Sequence, residues 1–217
     1  MATRAVISDF GGVLTTPLLR SFASIQDEIG IETGTLGRAM QRIAERDGEH
    51  PLFELERGRI SEADFLDELR RELAVDLGHE PDLNRFSELY FRALDVNEPM
   101  IDVMRDARSR GYRMALLTNN VREWEPHWRA MVPVDEIFEV IVDSAFVGLR
   151  KPEPEIYELT VERLGDGIHP SDCLFVDDVE VNIDAARTLG MQAVHFRSNE
   201  QAIPEIEAAL DGGPPGP

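Results

Sequence analysis

The sequence predicts an α/β protein, a doubly wound parallel sheet with an all-helical insertion after its first strand. Three observations predict it. From Pro99 onward, short apolar runs alternate with segments of helical periodicity, the pattern of strands joined by crossover helices. Between Leu14 and Tyr112 lie 97 residues, whereas a crossover between parallel strands needs only a dozen or more. Nothing in that stretch reads as a strand. No internal repeat is visible.

The first strand is Ala5–Ser8 (AVIS), apolar enough for the middle of a parallel sheet. It stops at Asp9, and Gly11 and Gly12 open a tight turn. Thr15-Thr16-Pro17 is a loop signal. Helical spacing follows over Leu18–Ile29 and Gly34–Ala44, with Phe22, Ile25, Leu36, Met40 and Ile43 facing inward. Pro51–Glu56 reads as a short helical turn ended by Gly58. Ser61 with Asp64 starts the next helix in the manner of a capping box, Asp replacing the usual Glu. Its buried stripe is Phe65, Leu66, Leu69 and Leu73. Asp82–Leu94 gives one more helix.

Pro99 then opens a helix in its first turn, where a missing N–H is harmless, and Gly111 closes it. Tyr112–Leu117 is the second strand and runs into Thr118-Asn119-Asn120. Val121–Met131 is helical at first and is broken by Pro126 and Pro133, Glu139–Asp143 is the third strand and Pro154–Leu164 a helix. Cys173–Val176 is the fourth strand and ends in Asp177-Asp178. Val181–Leu189, with Gly190 as its cap, precedes the fifth strand, Gln192–Phe196. Ile203–Leu210 is the last helix. Residues 212–217 (GGPPGP, after Asp211) have the composition of a disordered tail. The division is a core of residues 1–16 and 97–211 and a helical cap of residues 17–96.

The formal net charge is −20. Such a field repels nucleic acid and anionic membrane surfaces. No apolar run approaches the roughly 20 residues of a membrane span. The N-terminal MATRAVISDF has no signal-peptide core. Cys173 is the only cysteine, so no internal disulfide forms; it reads as a small buried residue. Together these predict a cytoplasmic protein with no nucleic-acid or membrane partner. No oligomeric state is legible. Among 22 Lys and Arg residues, Lys151 is the only lysine. Lys offers a compact point charge and Arg a planar fork, so the exception matters.

Chemically useful residues end three of the strands. They are Asp9, then Thr118 and Asn119, then Asp177 and Asp178. A parallel sheet places all three ends on one edge, where ligands of open α/β sheets bind. Three carboxylates repel one another unless a cation lies between them, and hard oxygen donors suit Mg²⁺. The competing reading makes Asp178 a helix cap. Lys151, in GLRKPEPEIY, can neutralise a phosphate or steady a carboxylate, and Thr118 and Asn119 can donate to phosphate oxygens. A carboxylate nucleophile, a metal, a lysine and a hydroxyl meet the needs of phosphoryl transfer.

The ordered motifs DFGGVL, LLTNN, RKPEPEIY and FVDDVEVN resemble those of the haloacid dehalogenase superfamily, and the helical insertion resembles its C1-type cap. The resemblance spans nearly the whole chain and implies a Rossmann-like core. It implies that Asp9 is the nucleophile, forming an aspartyl-phosphate. It also implies that Thr118 binds the transferring group and Lys151 stabilises it. The ligands of Mg²⁺ would be Asp9, the Gly11 carbonyl, Asp177 and Asp178, with Asn182 supporting the acidic pair. The expected activity is a Mg²⁺-dependent phosphatase acting on a small phosphorylated metabolite. The alternatives are a 2-haloacid dehalogenase and a member that only binds a phosphorylated ligand or partner.

One position departs from the pattern. Phosphatases of this family carry a second Asp two residues after the nucleophile, as proton donor and then base. Here it is Gly11. General acid–base catalysis is worth about 10²–10⁴-fold, so good leaving groups such as sugar 1-phosphates and acyl phosphates are favoured. Glu54, Glu56 and His50 on the cap are candidate replacement acids, although solvated charge is the commoner state of such residues. Trp124, Trp128 and His127 read chiefly as helix-to-core packing. Arg57 and Arg59 are candidate contacts for a distal anion.

Overall fold

The computed structural model describes residues 3–211, apart from the side chains of Leu18 and Leu19. The tail at 212–217 lies outside the described residues. The strands are β1 (Ala5–Ser8), β2 (Arg113–Thr118), β3 (Val140–Asp143), β4 (Cys173–Asp177) and β5 (Gln192–His195). They form one five-stranded parallel sheet in the order β3-β2-β1-β4-β5. All four residues of β1 are buried, as a central strand covered on both faces requires. Ser8 is in register with Leu116 of β2 and Val176 of β4. The carboxyl ends of these three strands therefore lie side by side.

Five helices separate β1 from the crossover to β2. They are α1 (Leu18–Glu28), α2 (Thr35–Asp47), α3 (Pro51–Glu56), α4 (Glu62–Leu77) and α5 (Phe86–Arg92). The start of α4 carries the capping box read from the sequence. Ser61 Oγ accepts from Asp64 N at 3.1 Å, and Asp64 Oδ2 accepts from Ser61 N at 3.4 Å. The chain leaves the core and returns to it along one antiparallel seam. Thr16 N donates to Asp95 O at 2.9 Å, and Asn97 N to Leu14 O at 2.9 Å. Thr15 bridges Val96 between them.

The rest alternates through α6 (Glu98–Ser109), α7 (Glu125–Met131), α8 (Val134–Ile137), α9 (Ser144–Val147), α10 (Pro154–Leu164), α11 (Glu180–Thr188) and α12 (Asn199–Ala209). Four details differ from the sequence reading. A 3₁₀ turn at Arg122–Trp124 precedes α7. The one-turn helices α8 and α9 are too short for periodicity to register. The last helix starts at Asn199, where the Ser198 hydroxyl accepts from Gln201 N, and it contains Pro204 in its interior. Cys173 is buried as expected, and burial pushes its thiol up to about 12. No described helix is long and apolar enough to cross a membrane.

Two apolar clusters cover the sheet. One, with Ile7, Phe175, Tyr157 and Ile183, packs under α10 and α11. The other runs without a break from the core (Val6, Leu116, Val176) into the helical insertion (Ile25, Leu69, Phe86). Aromatic pairs run through this second cluster. Phe10 meets Trp128 at 5.5 Å between ring centroids, and Tyr90 meets Trp124 at 4.5 Å.

Candidate active site

The sheet alone assembles the acidic centre. Asp9 follows β1 while its N–H still donates to Val176 O at 2.9 Å, so its backbone is held as in a strand. Asp177 ends β4 and is fully buried. Asp178 comes next, and one carboxylate oxygen from each of the three lies within 4.8 Å of the others. Gly12 makes the approach possible. Its φ is +77°, and a Cβ there would lie 2.1 Å from Asp178 Oδ2. Gly11, by contrast, is not in the left-handed region.

Lys151, 1% exposed, joins this centre from the loop before α10. Its Nζ lies 2.8 Å from Asp9 Oδ1 and 2.7 Å from Asp177 Oδ2. Burial works against its charge, but Asp177 and Asp9 outweigh burial and raise its pKa. Burial likewise drives Asp9 well above the ordinary carboxylate range, with Lys151 opposing and Asp177 and Asp178 adding to the rise. Asp178 is pushed up to about 6 by burial and then by Asp177. Three carboxylates under one lysine form an under-neutralised set of hard oxygen donors, and that set fits Mg²⁺.

The surrounding hydrogen bonds distribute the work. Asp9 Oδ1 accepts from Lys151 and from Phe10 N (2.7 Å), which leaves Oδ2 without a partner among the described residues. Asp177 accepts from Val179 N at 2.8 Å and from Asn182 Nδ2 at 3.0 and 3.1 Å. Asn182 therefore steadies Asp177, and no bond from it reaches Asp178 among the described residues. The cap of α11 is Val179, with no side-chain bond, so Asp178 does not cap that helix. Asn119 grips the Lys151 backbone both ways. Its Oδ1 accepts from Lys151 N at 2.8 Å and its Nδ2 donates to Lys151 O at 3.0 Å. Asn119 thus places the lysine, and that contact occupies one Nδ2 hydrogen. Thr118, at the end of β2, is buried as a residue and lines the space under the helices, and its hydroxyl makes no hydrogen bond among the described residues.

Helices close the site from above. A recess of about 50 Å³ opens on Gly11, Thr118 and Asn119 and is walled by aromatic side chains, among them Phe10, Tyr90, Phe91 and Trp124. A wider cleft on the solvent side is lined by Asp9, Lys151 and Asp178. Gly11, Asn119 and Glu56 line both spaces. The sequence reading favoured a solvated Glu56. Instead its side chain is 15% exposed and receives a 2.8 Å bond from Arg150 Nε. Burial raises its pKa despite that arginine.

The other singled-out residues divide clearly. Trp128 is core, as read, whereas Trp124 both packs and lines the recess, its Nε1 donating to Glu62 Oε1 at 2.7 Å. His127 stacks on Phe91 at 5.1 Å. Arg57 is committed to Glu153, with Nε 3.0 Å from Oε1, and Arg59 to Glu54 at 2.8 Å. Neither residue lines the recess or the cleft. A Cβ on Gly58 would sit 2.3 Å from Ala145 O. The end of α3 thus rests directly on the core.

A profile described as hydrolase, haloacid dehalogenase-like hydrolase, matches residues 3–190. Acyl-CoA dehydrogenase family member 10 of Mus musculus is 30% identical over 211 residues, covering 95% of this chain and 19% of that protein. The chain spans 19% to 39% of the length of the first curated relatives it matches. Phosphorylated carbohydrates phosphatase of Thermotoga maritima is 27% identical over 212 residues, covering 94% of this chain and 91% of the other. An enzyme of the same family from Bacteroides thetaiotaomicron, solved with magnesium and inorganic phosphate, superposes with a TM-score of 0.63. It is 24% identical, covering 90% of this chain and 95% of the other.

Proposed function

This chain belongs to the haloacid dehalogenase-like hydrolase family, and we propose that it is a Mg²⁺-dependent phosphatase acting on a small phosphorylated metabolite. One observation carries the reading. Lys151 Nζ spans Asp9 and Asp177 at 2.8 and 2.7 Å, beside a third carboxylate, at the edge of a parallel sheet. The phosphatase relative and the magnesium–phosphate complex of a structural neighbour support it.

Asp9, the Gly11 carbonyl, Asp177 and Asp178 would hold the metal. When bound, the ion neutralises the carboxylates and the charge of the phosphoryl group. Asp9 Oδ2, free of hydrogen bonds, attacks phosphorus and gives an aspartyl-phosphate, while Lys151 and Phe10 N fix Oδ1. The Thr118 hydroxyl has no competing partner and donates to a phosphoryl oxygen. The helical insertion of residues 17–96 acts as a cap that excludes water. Its aromatic recess favours a compact apolar organic group over a sugar. Gly11 gives the leaving group no proton, so this strand end by itself favours good leaving groups.

The test is phosphate release from a panel of sugar, acyl, aryl and short alkyl phosphates, with Mg²⁺ and with excess EDTA. The expected outcome is Mg²⁺-dependent release with aryl and compact alkyl esters ahead of sugar 6-phosphates. No release from any ester, together with halide release from 2-haloacids, would replace the phosphatase by the dehalogenase reading.

A further inference from the structure

We propose that Glu56 donates the proton to the departing alcohol, supplying from α3 the side chain that Gly11 lacks. The inference rests on the phosphatase reading above. It deepens that reading, because a proton donor opens the site to poor leaving groups that the strand end alone would not serve.

Geometry separates the three candidate acids on the insertion. Glu54 lies between Arg59 at 2.8 Å and Arg57 at 3.5 Å and lines neither the recess nor the cleft. His50 stacks on Phe53 at 4.7 Å, and burial and Arg150 lower its pKa, so near neutral pH it has no proton to spare. Glu56 alone of the three stands where the recess meets the catalytic cleft, on the same lining as Gly11. A leaving group seated in the recess while its phosphate faces Asp9 has its bridging oxygen at that junction.

The carboxyl is also held in a donor's posture. Arg150 Nε fixes Oε2 at 2.8 Å, and Arg150 is itself fixed over the Phe53 ring at 3.8 Å. Oε1 has no hydrogen-bond partner among the described residues. Burial favours its neutral form.

The steps balance. Asp9 Oδ2 forms a bond to phosphorus as the bond from phosphorus to the ester oxygen breaks. The electron pair goes to that oxygen, which takes the proton of Glu56 and leaves as the alcohol. The Glu56 carboxylate then takes a proton from water as the water oxygen attacks phosphorus. Inorganic phosphate departs and Asp9 regains its carboxylate.

A structural alternative explains the same contacts. In that alternative the Glu56–Arg150 pair only ties α3 to the core, and an experiment separates the two readings. Alcohol release in the first turnover is measured for the wild type and E56Q, with Mg²⁺. The substrates run from 4-nitrophenyl phosphate, whose leaving group needs no proton, to short alkyl phosphates. The expected result is that E56Q slows the nitrophenyl ester less than tenfold and the alkyl esters by roughly 10²–10⁴-fold. Adding G11D to E56Q, at a position whose φ lies outside the left-handed region, restores much of the alkyl activity. Equal losses on all esters would make Glu56 a structural tie and overturn the proposal, as would no loss on any. If the wild type releases phosphate from no ester, the phosphatase reading itself falls. A steep E56Q profile beside an active wild type sustains both.

Discussion

At the carboxyl edge of the sheet, Asp9, Thr118 and Asp177 sit where strand register puts them, whereas Glu56 and Trp124 reach the same space on helices. The first region is polar, packed with charge and bonded to its own backbone. The second is an aromatic wall holding one carboxyl. The contrast shows how each region can be read. A parallel sheet converts the end of a buried strand into a position in space, so two sequence runs suffice to place two side chains together. A helix six residues long, α3, converts nothing by itself. Where Glu56 points depends on Gly58 meeting Ala145 O, on Arg57 reaching Glu153 and on Arg150 lying across Phe53.

The sharpest way to break the contrast is at Asp9. Asp9→Asn removes the proposed nucleophile while keeping its size, and turnover should fall by roughly 10⁴-fold or more with the circular dichroism spectrum unchanged. Retained activity would deny the strand end its place in the chemistry.

Lys151→Arg comes next. A 1% exposed ammonium bridging two carboxylates leaves no room for a planar fork. The loss in kcat/KM should be about 10²–10³-fold. An active variant would make the single lysine a coincidence of composition.

The helical wall should respond differently, through selectivity. Phe91 lines the recess beside Trp124, their rings 5.5 Å apart. Phe91→Ala should lower kcat/KM for aryl and alkyl phosphates by about tenfold, the scale of a hydrophobic contact in a specificity pocket. Sugar phosphates should change much less. A uniform loss across substrates would mean that the wall only packs.

The same division explains what the sequence disclosed. Alternation and strand-end residues disclosed the sheet, the long helical excursion and the cluster of Asp9, Asp177 and Asp178, and its being the only lysine disclosed Lys151. They disclosed Asn182 because a residue one helical turn past Asp178 faces the sheet. They did not disclose that Asn119 would hold the Lys151 backbone, since that pairing joins two loops 32 residues apart. Glu56 was named beside Glu54 and His50 but not told apart from them, because it lies in a polar run, LERGR, whose neighbours Glu54, Arg57 and Arg59 form surface or seam ion pairs. Gly58, read as a helix stop, was the available signal. A left-handed glycine with backbone 2.3 Å from its would-be Cβ marks where the insertion touches the core.

A strand end is a position and becomes a site only with a counter-charge, and Asp143 separates the two. It ends β3 in register with Thr118, and it is buried. No lysine reaches it. Its Oδ1 accepts from Ala145 N at 3.0 Å, while Oδ2 is buried with no partner. Glu125 adds to the burial cost, Arg129 and Arg122 offset part of it, and the balance raises its pKa from 3.8 to about 7. Between those two values the folded protein binds more protons than the unfolded one. Stability from this group therefore falls as pH rises from about 4 to about 7. Asp143→Asn keeps the bond to Ala145 N and removes the charge. The variant should be more stable than wild type above pH 7, on the order of 1–3 kcal/mol, with the gain fading toward pH 4. Chemical denaturation at the two ends of that range reads the difference. Equal stability at both ends would mean that Asp143 ionises freely, and that lacking a lysine costs a buried strand end nothing.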